Sequence, residues 1–209
     1  MKSPLRGLYA ITSAPLCRTP GALPRAVDAA LAGGARLIQY RDKEGDAQQR
    51  RETARALLAL CRARNALFIV NDDVELALAV GADGVHLGQG DLPLREARRR
   101  LGGLATIGVS CANVLERAVA AQDEGASYVA FGRFFPSRTK PDAPPAELAL
   151  LRQARERLHV PICAIGGITP ANGAALVDAG ASMLAAVEGV FGVSDVDGAA
   201  RAYARLFDN

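Results

Sequence analysis

Gln39, Arg41 and Lys43 occupy every second position of QYRDK, so in an extended strand one amide and two cations share a side while Tyr40 and Asp42 face the other way. Such a triad is a clamp for a polyanion, because a guanidinium fork holds two phosphate oxygens at once and an ammonium adds a point charge. Asp72 and Asp91 supply the opposite charge. Paired carboxylates suit magnesium, which completes its shell with water and substrate phosphate oxygens. A further anion-holding group is PSRTKP, residues 136–141, where Ser137, Thr139 and Lys140 lie between two prolines. Ordinary surface turns share that composition, and Asp73 has a ready structural use as the cap of a helix over Val74–Val80.

The elements that must position these residues are legible as an alternation. Apolar runs at 7–12, 37–42, 67–72, 84–88, 105–110, 128–132, 161–166 and 183–188 read as strands. Alanine- and arginine-rich stretches such as 46–64, 112–124 and 145–158 have helical spacing between them. Gly34-Ala35, Gly81-Ala82, Gly125-Ala126 and Gly180-Ala181 mark helix ends, where glycine accepts the left-handed cap. Strand–helix repetition of this kind predicts parallel strands with helical crossovers, and eight units in 209 residues predict a compact single-domain (β/α)8 TIM barrel over 1–209. The rival, an open doubly wound sheet, calls for a G-x-G-x-x-G turn after the first strand, and none follows Thr12.

In such a barrel the carboxyl ends of the strands share one face. There the sequence delivers Thr12, then Gln39, Arg41 and Lys43, then Asn71 and Asp72, then His86, Gln89 and Asp91, then Ser110, and then Ser137, Thr139 and Lys140. The third and fourth strands are neighbours, so Asp72 and Asp91 can reach one divalent ion. Gly166-Gly167 and Val187-Glu188 close the seventh and eighth strands, whose loops are the frequent phosphate site of this fold. Two anion sites on one mouth predict two small phosphorylated substrates.

Composition narrows the class. The 25 basic and 22 acidic residues leave a net charge of +3, and the basic residues are scattered, which argues against nucleic-acid binding. The four cysteines stand far apart with no C-x-x-C pair, so thiols in a reducing compartment fit better than zinc or redox chemistry. No run reaches membrane-spanning length and the N-terminus lacks a signal-like apolar stretch, so a cytoplasmic protein with no membrane partner is expected. Assembly into a homo-oligomer is left open.

The ordered set YAIT, QYRDK, FIVNDDVELAL, ADGVHLGQGDLP, IGVS, YVAFGRFFPSRTKP and PICAIGGI resembles the thiamine-phosphate synthase family from about residue 7 to 192. The resemblance implies a (β/α)8 transferase that joins hydroxymethylpyrimidine diphosphate to a thiazole phosphate with magnesium as cofactor. It implies that Gln39, Arg41, Lys43, Asn71 and Ser110 hold the pyrimidine diphosphate, and that Asp72 and Asp91 hold magnesium. Ser137, Thr139 and Lys140 would serve the anionic groups, and Gly167 with the backbone at Val187 and Glu188 the thiazole phosphate. Arg41, Lys43, Lys140 and Ser110 are the expected catalytic set. One departure is Glu188, where the family pattern has a serine near the phosphate. A tautomerase relative would need a histidine where Ala112 stands, and a non-catalytic phospho-ligand regulator would have no need of the metal carboxylates and Lys140.

Overall fold

The computed structural model describes residues 5–137 and 143–208. Strands β1 (Gly7–Ile11), β2 (Leu37–Tyr40), β3 (Leu67–Asn71), β4 (Gly84–Leu87), β5 (Thr106–Ala112), β6 (Tyr128–Phe131), β7 (Ile162–Ile165) and β8 (Met183–Ala186) close into a parallel barrel in chain order. Helices α1 (Ala14–Arg18), α2 (Ala22–Ala32), α3 (Ala47–Ala63), α4 (Val74–Val80), α5 (Leu94–Leu101), α6 (Leu115–Asp123), α7 (Leu148–Arg157), α8 (Pro170–Asp178), α9 (Glu188–Phe191) and α10 (Val196–Ala204) alternate with them. The expected (β/α)8 architecture is therefore the observed one. The eighth strand is shorter than its apolar run suggests, because it stops at Ala186 and Val187 becomes the N-cap of α9.

Each parallel strand is covered on both faces, so most read as continuous apolar runs. The period of two still sorts the side chains. Tyr9, Ile11, Leu37, Ile69, Tyr128, Ala130, Cys163, Met183 and Ala185 fill the barrel interior, while the alternate residues pack outward against the helices. The outer layer includes Val27 of α2 and Leu57 of α3, both fully buried. Burial on that scale stabilises the chain by about 1.5–3 kcal/mol for each such side chain.

The Gly-Ala signature has the physical basis anticipated for it. Ala35, Ala82, Ala126 and Ala181 donate their N–H groups back to Ala30, Ala77, Ala121 and Leu176 at 2.9–3.0 Å. Such a closure requires the preceding residue to turn left-handed, and Gly34, Gly81, Gly125 and Gly180 all have positive φ. Each helix thus stops sharply and feeds the next strand in register.

Candidate active site at the barrel mouth

The carboxyl ends of the strands surround a cavity of about 660 Å³ that reaches from the barrel interior to the loops after β7 and β8. Gln39, Arg41, Lys43, Asn71, Asp72, Asp91 and Ser110 all line it, so the polar strand ends singled out from sequence are brought together. Ser137, Gly167, Val187 and Glu188 line the same cavity. Thr139 and Lys140 lie outside the described residues.

Arg41 is aimed by its backbone. The buried Thr12 hydroxyl accepts from Arg41 N at 2.8 Å and lies 3.3 Å from the Arg41 carbonyl, tying the end of β2 to the end of β1. Tyr40 and Asp42 face outward as the period requires, and the Tyr40 hydroxyl donates to Asp42 Oδ2 at 3.2 Å. Among the described residues Arg41 makes no ion pair with a carboxylate, which leaves its positive charge for a ligand in the cavity.

Lys43 Nζ lies 3.2 Å from Asp72 Oδ2. Asp72 has φ 62, a left-handed conformation that aspartate tolerates better than bulkier residues, and its N–H is anchored on the His86 carbonyl at 2.9 Å. Its neighbour Asp73 has the structural role that sequence offered, accepting from Leu76 N at 2.9 Å and pairing with Arg50. Asp91 is set by a turn in which its Oδ2 accepts from Gly88 N at 2.6 Å. Burial raises the Asp91 carboxyl above its ordinary value, and the adjacent Asp72 carboxyl, within hydrogen-bonding reach, raises it further.

Two carboxylates pressed together beside one ammonium are short of positive charge. That donor set fits magnesium, which needs few protein oxygens and takes the rest from water and phosphate. It does not make a closed metal cage: among the described residues no group of three or more His, Cys, Asp or Glu side chains is disposed to hold an ion.

The far end of the cavity is built from backbone. Gly166 and Gly167 have φ 105 and 62, and Asn172 Nδ2 holds the Gly167 carbonyl at 3.1 Å while its side chain also caps α8 with Thr169. The N–H groups of Gly167, Ile168, Glu188 and Gly189 donate to no other described residue. Unspent amides at a glycine turn and at the start of a helix are an anion-binding arrangement. The Glu188 carboxylate turns along α9 towards Gly192, where an added Cβ would lie 2.6 Å from its Oε2. Glu188 can therefore offer its amide without placing its charge on that turn.

Two features escaped the sequence reading. Arg133 lines the cavity, donates from Nε to the Ala143 carbonyl at 2.9 Å, and makes no ion pair among the described residues. Its only sequence signal is a cation directly after an apolar strand. Tyr9 lines the cavity and its hydroxyl lies 2.8 Å from that of the fully buried Tyr128, and nothing local in the sequence separates the two from core aromatics. His86, one of the polar strand residues anticipated from sequence, is buried beneath the mouth and contacts both Tyr128 and Ser110.

Fold and site together define a class, the (β/α)8 barrels whose polar cavity opens at the carboxyl face of the strands. Within it, residues 8–190 match the family described as thiamine monophosphate synthase. The chain is 54% identical over 204 residues to a thiamine-phosphate synthase of Thioalkalivibrio sulfidiphilus, covering 98% of this chain and 96% of that one. It is 51% identical over 207 residues to the enzyme of the same name from Nitrosococcus oceani, covering 99% and 95%. A thiamine phosphate pyrophosphorylase structure from Pyrococcus furiosus superposes with a TM-score of 0.89 at 35% identity, covering 98% and 96%. The chain belongs to the thiamine monophosphate synthase family, whose members are transferases.

Proposed function

We propose that the cavity condenses 4-amino-2-methyl-5-hydroxymethylpyrimidine diphosphate with a (carboxy)thiazole phosphate, giving thiamine phosphate and pyrophosphate. The observation that carries this reading is the two-ended cavity. Arg41, Lys43 and the Asp72–Asp91 pair stand at one end and four unspent backbone amides at the other. Two ends suited to anions and one shared volume match two phosphorylated substrates brought into contact.

The chemistry asks for little acid–base work. The aminopyrimidine ring donates electron density to its methylene carbon, so the C–O bond to the diphosphate can break ahead of capture. Arg41 and Lys43, with Lys140, neutralise charge as it gathers on the departing diphosphate. Gln39, Asn71 and Ser110 orient the pyrimidine and its leaving group. Magnesium, held by Asp72 and Asp91, supplies charge neutralisation for the diphosphate when bound. The amides of Gly167, Ile168, Glu188 and Gly189 grip the thiazole phosphate, with Val187, Ser137 and Thr139 beside it, so that the thiazole nitrogen faces the cationic carbon.

A tautomerase-type proton shuttle finds no base at residue 112, since Ala112 lines the cavity there. The test is to supply both substrates and Mg²⁺ to the purified chain and quantify thiamine phosphate and pyrophosphate. The proposal expects equimolar products, abolished by EDTA. Binding of both ligands without product would instead support a phospho-ligand regulator.

A further inference from the structure

Beneath the phosphate clamp Gln39 and Ser110 are joined by a buried chain of polar side chains, Tyr9, Tyr128 and His86, for which the proposed reaction has no direct use. Gln39 Nε2 donates to the Tyr9 hydroxyl at 2.6 Å, and the Tyr9 and Tyr128 hydroxyls are 2.8 Å apart. Tyr128 OH is 2.9 Å from His86 Nδ1, and His86 Nε2 is 2.8 Å from Ser110 Oγ. The chain crosses the barrel from β2 through β1 and β6 to β4 and β5. Relative exposure is 3% for Gln39, 1% for Tyr9, 0% for Tyr128 and 9% for His86, so water is not available to repair a mismatched donor.

With the Gln39 amide nitrogen turned towards Tyr9, the connections allow one consistent sense. An amide N–H can only donate, so Tyr9, having accepted from Gln39, gives its single hydrogen to Tyr128. Tyr128 then gives its hydrogen to His86 Nδ1. A bare Nδ1 places the imidazole proton on Nε2, which donates to Ser110 Oγ, and the Ser110 hydrogen is left to point into the cavity. The opposite sense brings the Gln39 N–H and the Tyr9 O–H head to head, stranding a donor where burial makes that costly. An imidazolium strands the same hydrogen, because Tyr128 would then accept from Nδ1 and turn its own hydrogen on Tyr9.

We infer that His86, Tyr128 and Tyr9 are positioning residues whose hydrogen-bond polarity, set by Gln39, fixes His86 as the neutral Nε2–H tautomer and makes the Ser110 hydroxyl a donor towards the bound substrate.

Other observations agree. Burial lifts both phenols well above their ordinary range, so each stays protonated and the sense is left to Gln39. The tyrosine pair is also built into the barrel. Gly108 stands opposite Tyr128, where an added Cβ would lie 2.0 Å from Tyr128 Cζ, and the His86 ring stacks on Tyr128 at 5.6 Å. Finally, the register of β5 against β6 shifts between Ser110 and Ala112. A bulge there re-aims the strand end that carries Ser110.

The role assigned to Ser110 rests on the proposed reaction, whereas the tautomer does not. The chain has two histidines, so a His159→Gln background leaves His86 as the one imidazole for ¹⁵N NMR. The expected spectrum shows a protonated Nε2 and a bare Nδ1. A proton on Nδ1, alone or as imidazolium, overturns the inference. Gln39→Glu replaces the terminal donor by an acceptor and should move a proton onto Nδ1; an unchanged tautomer would show that Gln39 does not set the sense.

Tyr128→Phe fits the same slot and removes one link. It should release His86 from a single tautomer and lower kcat on the order of tenfold with little change in KM. Ser110→Ala should show the same loss, with no further loss in the double variant. A fall in Ser110→Ala but not in Tyr128→Phe would refute the positioning role. Absence of product from the wild type would sink the proposed reaction instead, and the tautomer would still decide the relay.

Discussion

Gly166→Ala tests whether the glycine turn sets the distance between the two ends of the cavity. An added Cβ would lie 2.5 Å from Arg133 Cβ, 2.6 Å from Arg133 Cα and 3.3 Å from Phe134 N. Carbon atoms in contact prefer about 3.5–4.0 Å, so the segment from Arg133 must retreat by about 1 Å. Retreat strains the bonds that Phe134 and Phe135 donate to the Ile165 and Gly166 carbonyls at 3.2 and 3.0 Å. The φ of 105 adds a backbone penalty of about 1–2 kcal/mol for any L side chain. Displacing Pro136 and Ser137 by that distance should lower kcat/KM by about 100-fold, the usual consequence of an ångström of misplacement. The melting temperature should fall by about 5–10 °C for a 2–3 kcal/mol loss in a chain of this size. Product formation and thermal melts provide the assay, with Gly103→Ala as control because nothing lies within 4 Å of an added Cβ there. Turnover of Gly166→Ala within twofold of wild type, at an unchanged melting temperature, would refute the reasoning.

The remaining predictions concern charge. Because the folded state raises the Asp91 pKa above its ordinary 3.8, it binds more protons than the unfolded chain between those two values. The stability of the metal-free protein should therefore fall as pH rises through that window. Asp91→Asn should flatten the trend in thermal melts, and Mg²⁺ should offset it in the wild type. Arg133→Met should raise KM for the thiazole phosphate about tenfold while leaving KM for the diphosphate substrate near normal, as initial-rate kinetics would show. Lys140→Ala should lower kcat by orders of magnitude at saturating substrates; near-normal turnover would remove Lys140 from the reaction.

The barrel is written plainly in this chain because two periodicities alternate cleanly. Short runs such as LFIV are apolar throughout, and the helix-ending glycines each precede an alanine that closes the cap. The clamp is legible for the same reason, since Gln39 and Arg41 alternate with Tyr40 and Asp42 at a strand end. The buried relay is not. Tyr9 and Tyr128 are 119 residues apart, and on strands buried on both sides an inward tyrosine looks like an outward one. Nor does composition reveal that Asp72 is turned by a left-handed backbone while Asp73 caps a helix, because either aspartate suits either task. Glu188 misleads in a different way: its residue type suggests a charge against the phosphate, whereas the conformation of α9 presents its amide.

Calorimetric titration of the protein with inorganic pyrophosphate, with and without Mg²⁺, tests the central claim most directly. The cavity should bind one pyrophosphate per chain in a Mg²⁺-dependent manner, and the heat should vanish in Arg41→Met and in Asp72→Asn/Asp91→Asn. Equal binding without Mg²⁺, or binding undiminished in both variants, would contradict the assignment of these residues to a metal-assisted diphosphate clamp.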